Sequence, residues 1–223
     1  FDAGERTIAP FLRSHGIRGL DFVIITSPKI QYVGGLRYIL KNFKVKEIVG
    51  CGAPYPSWAY LDLLRYINYK DISYRVYEAD GKIDELGLTI LSSGKDGSAL
   101  AFKIEYGEIS FLFGEETKEW EGDKVTILKV PSHGSKYYST PEFVSAVMPK
   151  IAVISVGRNR FGNPDTDVLG RYEKAGAKIL RTEEVGAVII ETDGRSTRVN
   201  TAKDIYENES LKQKFLRYIG LAL

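Results

Sequence analysis

Apolar residues fall into two rhythms along this chain, and the rhythm changes twice. Leu20, Phe22, Val23, Ile24 and Ile25 form a near-continuous apolar run, the pattern of a strand covered on both faces. After a short loop, Leu36, Ile39, Leu40 and Phe43 recur at the spacing of one helical stripe. Gly34 and Gly35 stand just ahead of that stripe and let the backbone turn tightly at the helix start. A helix is predicted before the first strand, ending at Ser14 or His15, with Pro10 early and Gly16 as its stop. Residues 45–49 predict a short strand. Residues 58–69 predict a helix capped by Ser57, with Tyr60, Leu63, Leu64 and Ile67 on its buried face.

Between residues 72 and 113 the texture turns to strands. Segments 74–77, 88–91 and 100–104 alternate, and Tyr106, Gly107 and Glu108 read as a hairpin turn into a strand over 109–113. Residues 125–130 predict another buried strand. Helix and strand then alternate again: a helix over 140–148, a strand over 151–156, a helix over 165–175, and strands near Ile179 and over 187–191. Ser210 is expected to cap a last helix on which Leu211, Phe215, Tyr218 and Ile219 share a face opposite basic residues. Packing on the domain is its expected role, and a partner-binding or membrane-surface helix is the alternative. The order of elements suits two sheets with helices outside, a four-layer αββα sandwich over residues 1–200 with the helix of 201–223 packed on it.

Composition narrows the function classes. In 223 residues, 31 Lys and Arg nearly balance 29 Asp and Glu, so any attraction for nucleic acid or membrane must be local. The lone Cys51 excludes an intramolecular disulfide and a Cys-rich metal site, and its place after Ile48 and Val49 suits a small buried residue. No apolar run is long enough to span a bilayer and no signal peptide is visible. The chain opens on Phe1 rather than Met, as a fragment or processed product would. A cytoplasmic protein and the extramembrane part of a larger membrane protein are both compatible with it. Scarce Gln and Met beside abundant Lys and Glu resemble a thermophile's composition.

Several stretches, in order, resemble the metallo-β-lactamase superfamily, and within it the hydrolase-like domain of the ComEC competence family. Asp2, Ala3 and Gly4 match an acidic-glycine turn. Residues 20–36 match the strand and "THxDxDHxGGL" motif, and Phe113, Gly114 and Glu115 stand at a "TGD" segment. Residues 128–136, LKVPSHGSK, match "LKVPHHGSK". Residues 154–157 and 161–164 match "SVG" and "yGHP", and Arg181, Thr182 and residues 186–189 match "RTd..GaI". The resemblance implies a metallo-β-lactamase sandwich whose opening strands would lie before Phe1. It also implies a metal site whose ligands are largely replaced here. Ser27, Lys29, Gln31 and Tyr32 stand at the first His, Asp, Asp and His positions. Glu115 stands at the bridging Asp, Ser132 at the first His of "HHGS", and Asn163 at the last His.

A hydrolytic metal needs several imidazole and carboxylate ligands converging on one point. Ser, Gln, Tyr and Asn are poor substitutes, and an ammonium repels a divalent ion. The resemblance therefore implies a catalytically degenerate relative, a pseudoenzyme without a cofactor that acts by binding nucleic acid or a protein of a DNA-uptake system, or as a scaffold. The alternative is a zinc- or manganese-dependent phosphodiesterase with an altered ligand set. His133 and Glu115 are the remaining catalytic candidates, and Ser132 or Ser135 with His133 as base is a conceivable nucleophile pair. Lys29 reads as a solvated loop lysine or as a cation that replaces the metal beside Glu115. Lys29, Tyr32, Ser132, His133, Ser135, Lys136 and Asn163 are the candidate ligand-binding residues. Lys136, Arg158 and Arg160, interleaved with Tyr137, Tyr138 and Phe161, form the pattern that single-stranded nucleic acid favours.

Overall fold

Strands with apolar residues on both faces need cover on both sides, and this chain supplies it in two compact units. The computed structural model describes residues 2–50, 52, 55–76, 81–84, 87–93 and 99–207. One unit comprises Phe1–Glu78, Gly94–Leu100 and Gln213–Leu223, and the other comprises Ala79–Ser93 and Ala101–Lys212.

The first unit is built on a three-stranded parallel sheet of β1 (Gly19–Ile24), β2 (Lys44–Gly50) and β3 (Ser73–Val76), in that order. Helix α1 (Ala9–Ser14) precedes β1, continuing a wider turn over Gly4–Ile8. Helices α2 (Ile30–Val33) and α3 (Leu36–Asn42) lie between β1 and β2, and α4 (Trp58–Tyr69) connects β2 to β3. Ile48, Tyr60, Leu63 and Ile67 are almost fully buried together with Ile25, Val33 and Leu40. That is the helical face expected from the spacing, except that Leu64 is only partly buried. Ser57 occupies the N-cap position of α4, but its side chain makes no capping hydrogen bond, so the expected cap is absent. The double glycine has a steric origin. A Cβ on Gly35 would overlap the Gly4 backbone nitrogen and reach 3.3 Å from the Ala3 carbonyl carbon, so the opening turn and the start of α3 touch backbone to backbone.

The second unit holds most of a seven-stranded sheet ordered β10-β9-β8-β7-β6-β5-β4. Its strands are β4 (Lys82–Ile83), β5 (Leu88–Ser93), β6 (Ala99–Tyr106), β7 (Ile109–Gly114), β8 (Ile127–Lys129), β9 (Ile151–Ile154) and β10 (Lys178–Arg181). The hairpin turn at Gly107 joins β6 to β7, while β7, β8, β9 and β10 run parallel to their neighbours. Period-two alternation then sorts the side chains. Leu112, Leu128, Val130, Ala152 and Ile154 pack with Phe143, Val147, Val168 and Tyr172 of helices α5 (Pro141–Val147) and α6 (Thr166–Lys174). Ile109, Ile127, Ile151 and Leu180 pack with Val188, Ile190 and Val199 of β11 (Val188–Thr192) and β12 (Thr197–Thr201), an antiparallel pair. Short helices α7 (Thr182–Val185) and α8 (Ala202–Glu207) flank that pair. Two turns interlock at its tip: Glu108 N–H donates to Gly194 O at 2.6 Å, and a Cβ on Gly107 would overlap the Gly194 carbonyl.

Thr140 and Asp165 cap α5 and α6 through Phe143 N–H at 3.2 Å and Asp167 N–H at 2.9 Å. Strands 125–130 and 151–156 are shorter than their apolar runs suggest, because the chain leaves the sheet after Lys129 and Ile154. The strands β4 and β12 and helices α2 and α7 have no counterpart in the sequence reading, while α8 falls within the 201–223 segment expected to be a helix. Cys51 and the last helix expected after Ser210 lie outside the described residues.

Three substitutions check this packing by urea unfolding. Gly35→Ala lowers stability by roughly 1–3 kcal/mol, the usual cost of overpacking. Leu128→Ala, in the helix-covered core, costs about 2–5 kcal/mol. Gly170→Ala in α6, where an added Cβ meets nothing within 4 Å, instead gains about 0.5–1 kcal/mol.

Candidate functional site

In a parallel α/β sheet, loops that leave neighbouring strands at their carboxyl ends gather on one edge. β7, β8 and β9 are such neighbours, in the register Phe113↔Lys129↔Val153. The three loops that follow them, 115–118, 131–138 and 155–165, are tied together. Ser132 Oγ donates to Glu115 O at 2.6 Å, and the Lys118 ammonium lies 5.3 Å from the centre of the Tyr138 ring. His133 Nδ1 bonds Ser155 O at 2.6 Å, and Asp165 N–H donates to Gly134 O at 3.0 Å. Five of the residues singled out from the sequence, Glu115, Ser132, His133, Ser135 and Lys136, stand on the first two loops, and Asn163 is on the third.

The middle loop is strained. Ser132 (φ 43°, ψ 46°) and His133 (φ 59°, ψ 25°) are consecutive non-glycine residues in the left-handed region, a conformation that surrounding structure must impose. The hydrogen bonds just named impose it. A carbonyl only accepts, so His133 Nδ1 carries the proton toward Ser155, which sets the ring's orientation. The Ser132 hydroxyl proton is committed to the Glu115 carbonyl instead of to His133. The pairing of Ser132 as nucleophile with His133 as base is therefore not assembled through these atoms. Ser135 Oγ accepts from Tyr137 N–H at 3.4 Å.

Glu115 is 4% exposed, and its carboxylate Oε1 pairs with the Lys129 ammonium. Strand register explains the meeting. Lys129 lies opposite Phe113, and Glu115 is two residues beyond Phe113, on the same face. Burial pushes Lys129 down to about 8. At that value the lysine is mostly charged at neutral pH. Oε2 of Glu115 and Oγ1 of Thr117 are buried without hydrogen-bond partners. Lys129 was not among the residues singled out from the sequence. A lysine inside the run Ile127 to Val130 was the available signal, because a buried ammonium calls for an anion nearby.

The third loop is organised by Asn159. Its Oδ1 accepts from Phe161 N–H (3.0 Å) and Asn163 N–H (3.2 Å), and its Nδ2 donates to Gly157 O (3.0 Å) and Asn163 O (2.6 Å). This clamp holds Asn163 by its backbone and leaves Arg158, Arg160 and Phe161 exposed. Phe161 is 74% and Tyr137 69% exposed. Each ring has a cation beside it, Arg160 at 5.4 Å from Phe161 and Lys136 at 5.9 Å from Tyr137.

The other candidates belong to the first unit. Ser27 is fully buried and its Oγ lies 3.5 Å from Lys29 N. Lys29 and Tyr32 are half-buried and engaged in interactions, so Lys29 is not a fully solvated loop lysine, whereas Gln31 is exposed. Lys129 is a cation at Glu115. The metal implied by the resemblance needs converging donors. Among the described residues no three His, Cys, Asp or Glu side chains come together, and the buried carboxylate of Glu115 already faces an ammonium. On these loops Ser132 and Asn163 are poor donors for a divalent ion.

Asn159→Ala tests the clamp. Amide exchange across residues 157–163 is expected to speed up at least tenfold, with the urea midpoint of the whole chain lowered by no more than about 1 kcal/mol in stability terms.

No family model matches the chain. It is 29% identical over 206 residues to ComE operon protein 3 of Bacillus subtilis (strain 168), covering 84% of this chain and 26% of that protein. It is 21% identical over 220 residues to the uncharacterized protein YcaI of Escherichia coli (strain K12), covering 91% and 27%. The chain thus spans about a quarter of the length of the curated relatives it matches. Among solved structures, the metallo-beta-lactamase fold protein YhfI from Bacillus subtilis aligns with a TM-score of 0.56 at 9% identity, over 89% of this chain and 84% of that one. With that alignment and the strand order above, the chain has the metallo-β-lactamase fold, and its sequence is similar to a segment of ComE operon protein 3.

Proposed function

We propose that this chain is a metallo-β-lactamase-fold module that works by binding, without a divalent metal, and that its ligand is single-stranded nucleic acid. The observation that carries the reading is the edge formed by the loops after β7, β8 and β9. Tyr137 and Phe161 project there as exposed rings, each flanked by a cation, with Arg158 and Lys118 close by in the same loops. Stacking on such rings is sequence-tolerant because every base has a π-face, and the cations track phosphates. Backbone bonds from Asn159, Ser132 and His133 hold the loops in place before any ligand arrives, which lowers the ordering cost of binding. The motif resemblance to the ComEC competence family points to a role beside a DNA-uptake system.

Fluorescence anisotropy with a labelled oligothymidylate in EDTA tests this. Binding is expected in low salt and to weaken steeply between about 50 and 200 mM salt. Tyr137→Ala and Phe161→Ala each weaken it by about 1–3 kcal/mol, roughly 5- to 150-fold. Arg158→Ala and Arg160→Ala each reduce the salt slope by about 0.7. An absence of binding by the native chain sinks the reading, and so does EDTA-sensitive hydrolysis of the DNA in added manganese or zinc, which would favour a phosphodiesterase.

A further inference from the structure

Helix α4 of the first unit buries Tyr60, Leu63 and Ile67, and its opposite face has no cover among the described residues. At about 3.6 residues per turn, Trp58, Leu61, Arg65 and Tyr69 fall there on one stripe. Trp58 is 77%, Leu61 44% and Tyr69 78% exposed, and Arg65 is exposed as well. The two aromatic residues stand at the ends of the helix, about 16 Å apart along its axis, with the leucine and the arginine between them.

Charge on this face is one-sided. The sole acid of α4, Asp62, is neutralised by Arg37 of α3, whose Nη1 lies 2.9 Å from Oδ2. The same guanidinium stacks on Tyr66, 4.0 Å from the ring centre. Lys70, at the helix C-cap, stands 5.8 Å from the Tyr66 ring and 5.5 Å from that of Tyr69. Over residues 58–71 that leaves Arg65 and Lys70 against Asp71. Lys41, one turn beyond Arg37 on the same face of α3, is exposed and adds a third cation.

We propose that the outer face of α4 rests on an anionic lipid bilayer. Trp58 and Tyr69 sit at the headgroup level, Leu61 enters the acyl boundary, and Arg65, Lys70 and Lys41 meet lipid phosphates. Trp and Tyr suit that depth because each joins an apolar ring to a polar handle. Nucleic acid would use the rings and cations equally well, but an aliphatic side chain between them offers a base nothing to stack on. A bilayer takes it up. Attraction between basic side chains and anionic headgroups acts only at short range, which suits a chain of nearly balanced charge. The inference concerns the first unit alone and does not rest on the loops after β7, β8 and β9.

The test is co-sedimentation of the full chain with vesicles of phosphatidylcholine, alone or with about one third phosphatidylglycerol. The native chain is expected to bind the anionic vesicles in low salt, to leave them as salt rises, and to bind the neutral ones about tenfold more weakly or worse. Tryptophan emission shifts to the blue on binding because Trp58 leaves water, whereas half-buried Trp120 keeps its hydrogen bond to Asp123 O. W58A and R65E/K70E each weaken vesicle binding by about tenfold or more. Both keep the native urea midpoint, since the replaced side chains are exposed, and both leave the oligothymidylate titration as it is in the native chain. An absence of native binding to anionic vesicles overturns the proposal. Undiminished binding by both variants overturns it too, as does equal binding to neutral vesicles. Should the variants lose affinity for oligothymidylate and not for vesicles, the face belongs to nucleic acid and the lipid assignment falls.

Discussion

A lysine placed inside an otherwise apolar strand cannot stay charged in a core without an anion, and that constraint shapes the loops at one edge of the seven-stranded sheet. Lys129 sits between buried Leu128 and buried Val130, and the parallel register with β7 determines which residue can answer it. Glu115 does so from just past the strand end, where the chain is already leaving the sheet. The pair therefore fixes where the first loop departs. Through the Ser132 bond to Glu115 it also fixes how the second loop folds back. The third loop follows, since Ser155 and Asp165 are bonded to His133 and Gly134. A charge requirement inside one strand is in this way passed to three loops.

The loops after β7, β8 and β9 spend several of their polar groups on the protein's own backbone. A reaction centre of the hydrolytic kind concentrates ionisable donors on a point. On these loops the polar groups mostly face the protein's own backbone: Asn159 clamps its loop, Ser132 bonds a carbonyl, and His133 Nδ1 bonds another. Turned outward are the Tyr137 and Phe161 rings, the cations beside them and the carboxylate of Glu119. Such loops need rigidity, because rings presented at random would have to be ordered by each incoming ligand.

Much of this was legible in the sequence, and the failures share a cause. The helix at Trp58–Tyr69, the strand at Gly19–Ile24 and the hairpin at Gly107 follow from periodicity and turn chemistry, which act over a few residues. The motif resemblance placed Glu115, Ser132, His133 and Lys136 on adjoining loops, because order along a βα fold dictates which strand ends are neighbours. Lys129 and Asn159 escaped notice. Their roles depend on cross-strand register and on a side chain closing a loop four residues long, and neither leaves a periodic trace. Ser57 failed as a cap for a related reason: its residue type permits capping, but only the local geometry decides whether the hydroxyl reaches an N–H. Lys29 reads from the sequence either as a solvated loop lysine or as a cation beside Glu115, and the structure shows it half-buried and engaged.

The interlocked turns at Gly107 and Gly194 carry a consequence of their own. Main-chain atoms alone join them, through the Glu108 N–H and the Gly194 carbonyl, so the join is blind to what most neighbouring side chains are. Evolution is consequently at liberty to rewrite the outward faces of β11 and β12 as long as both glycines stay. A change at either one would prise the ribbon's tip from the sheet, so drift in this region should spare the two glycines beside the core-facing Val188, Ile190 and Val199.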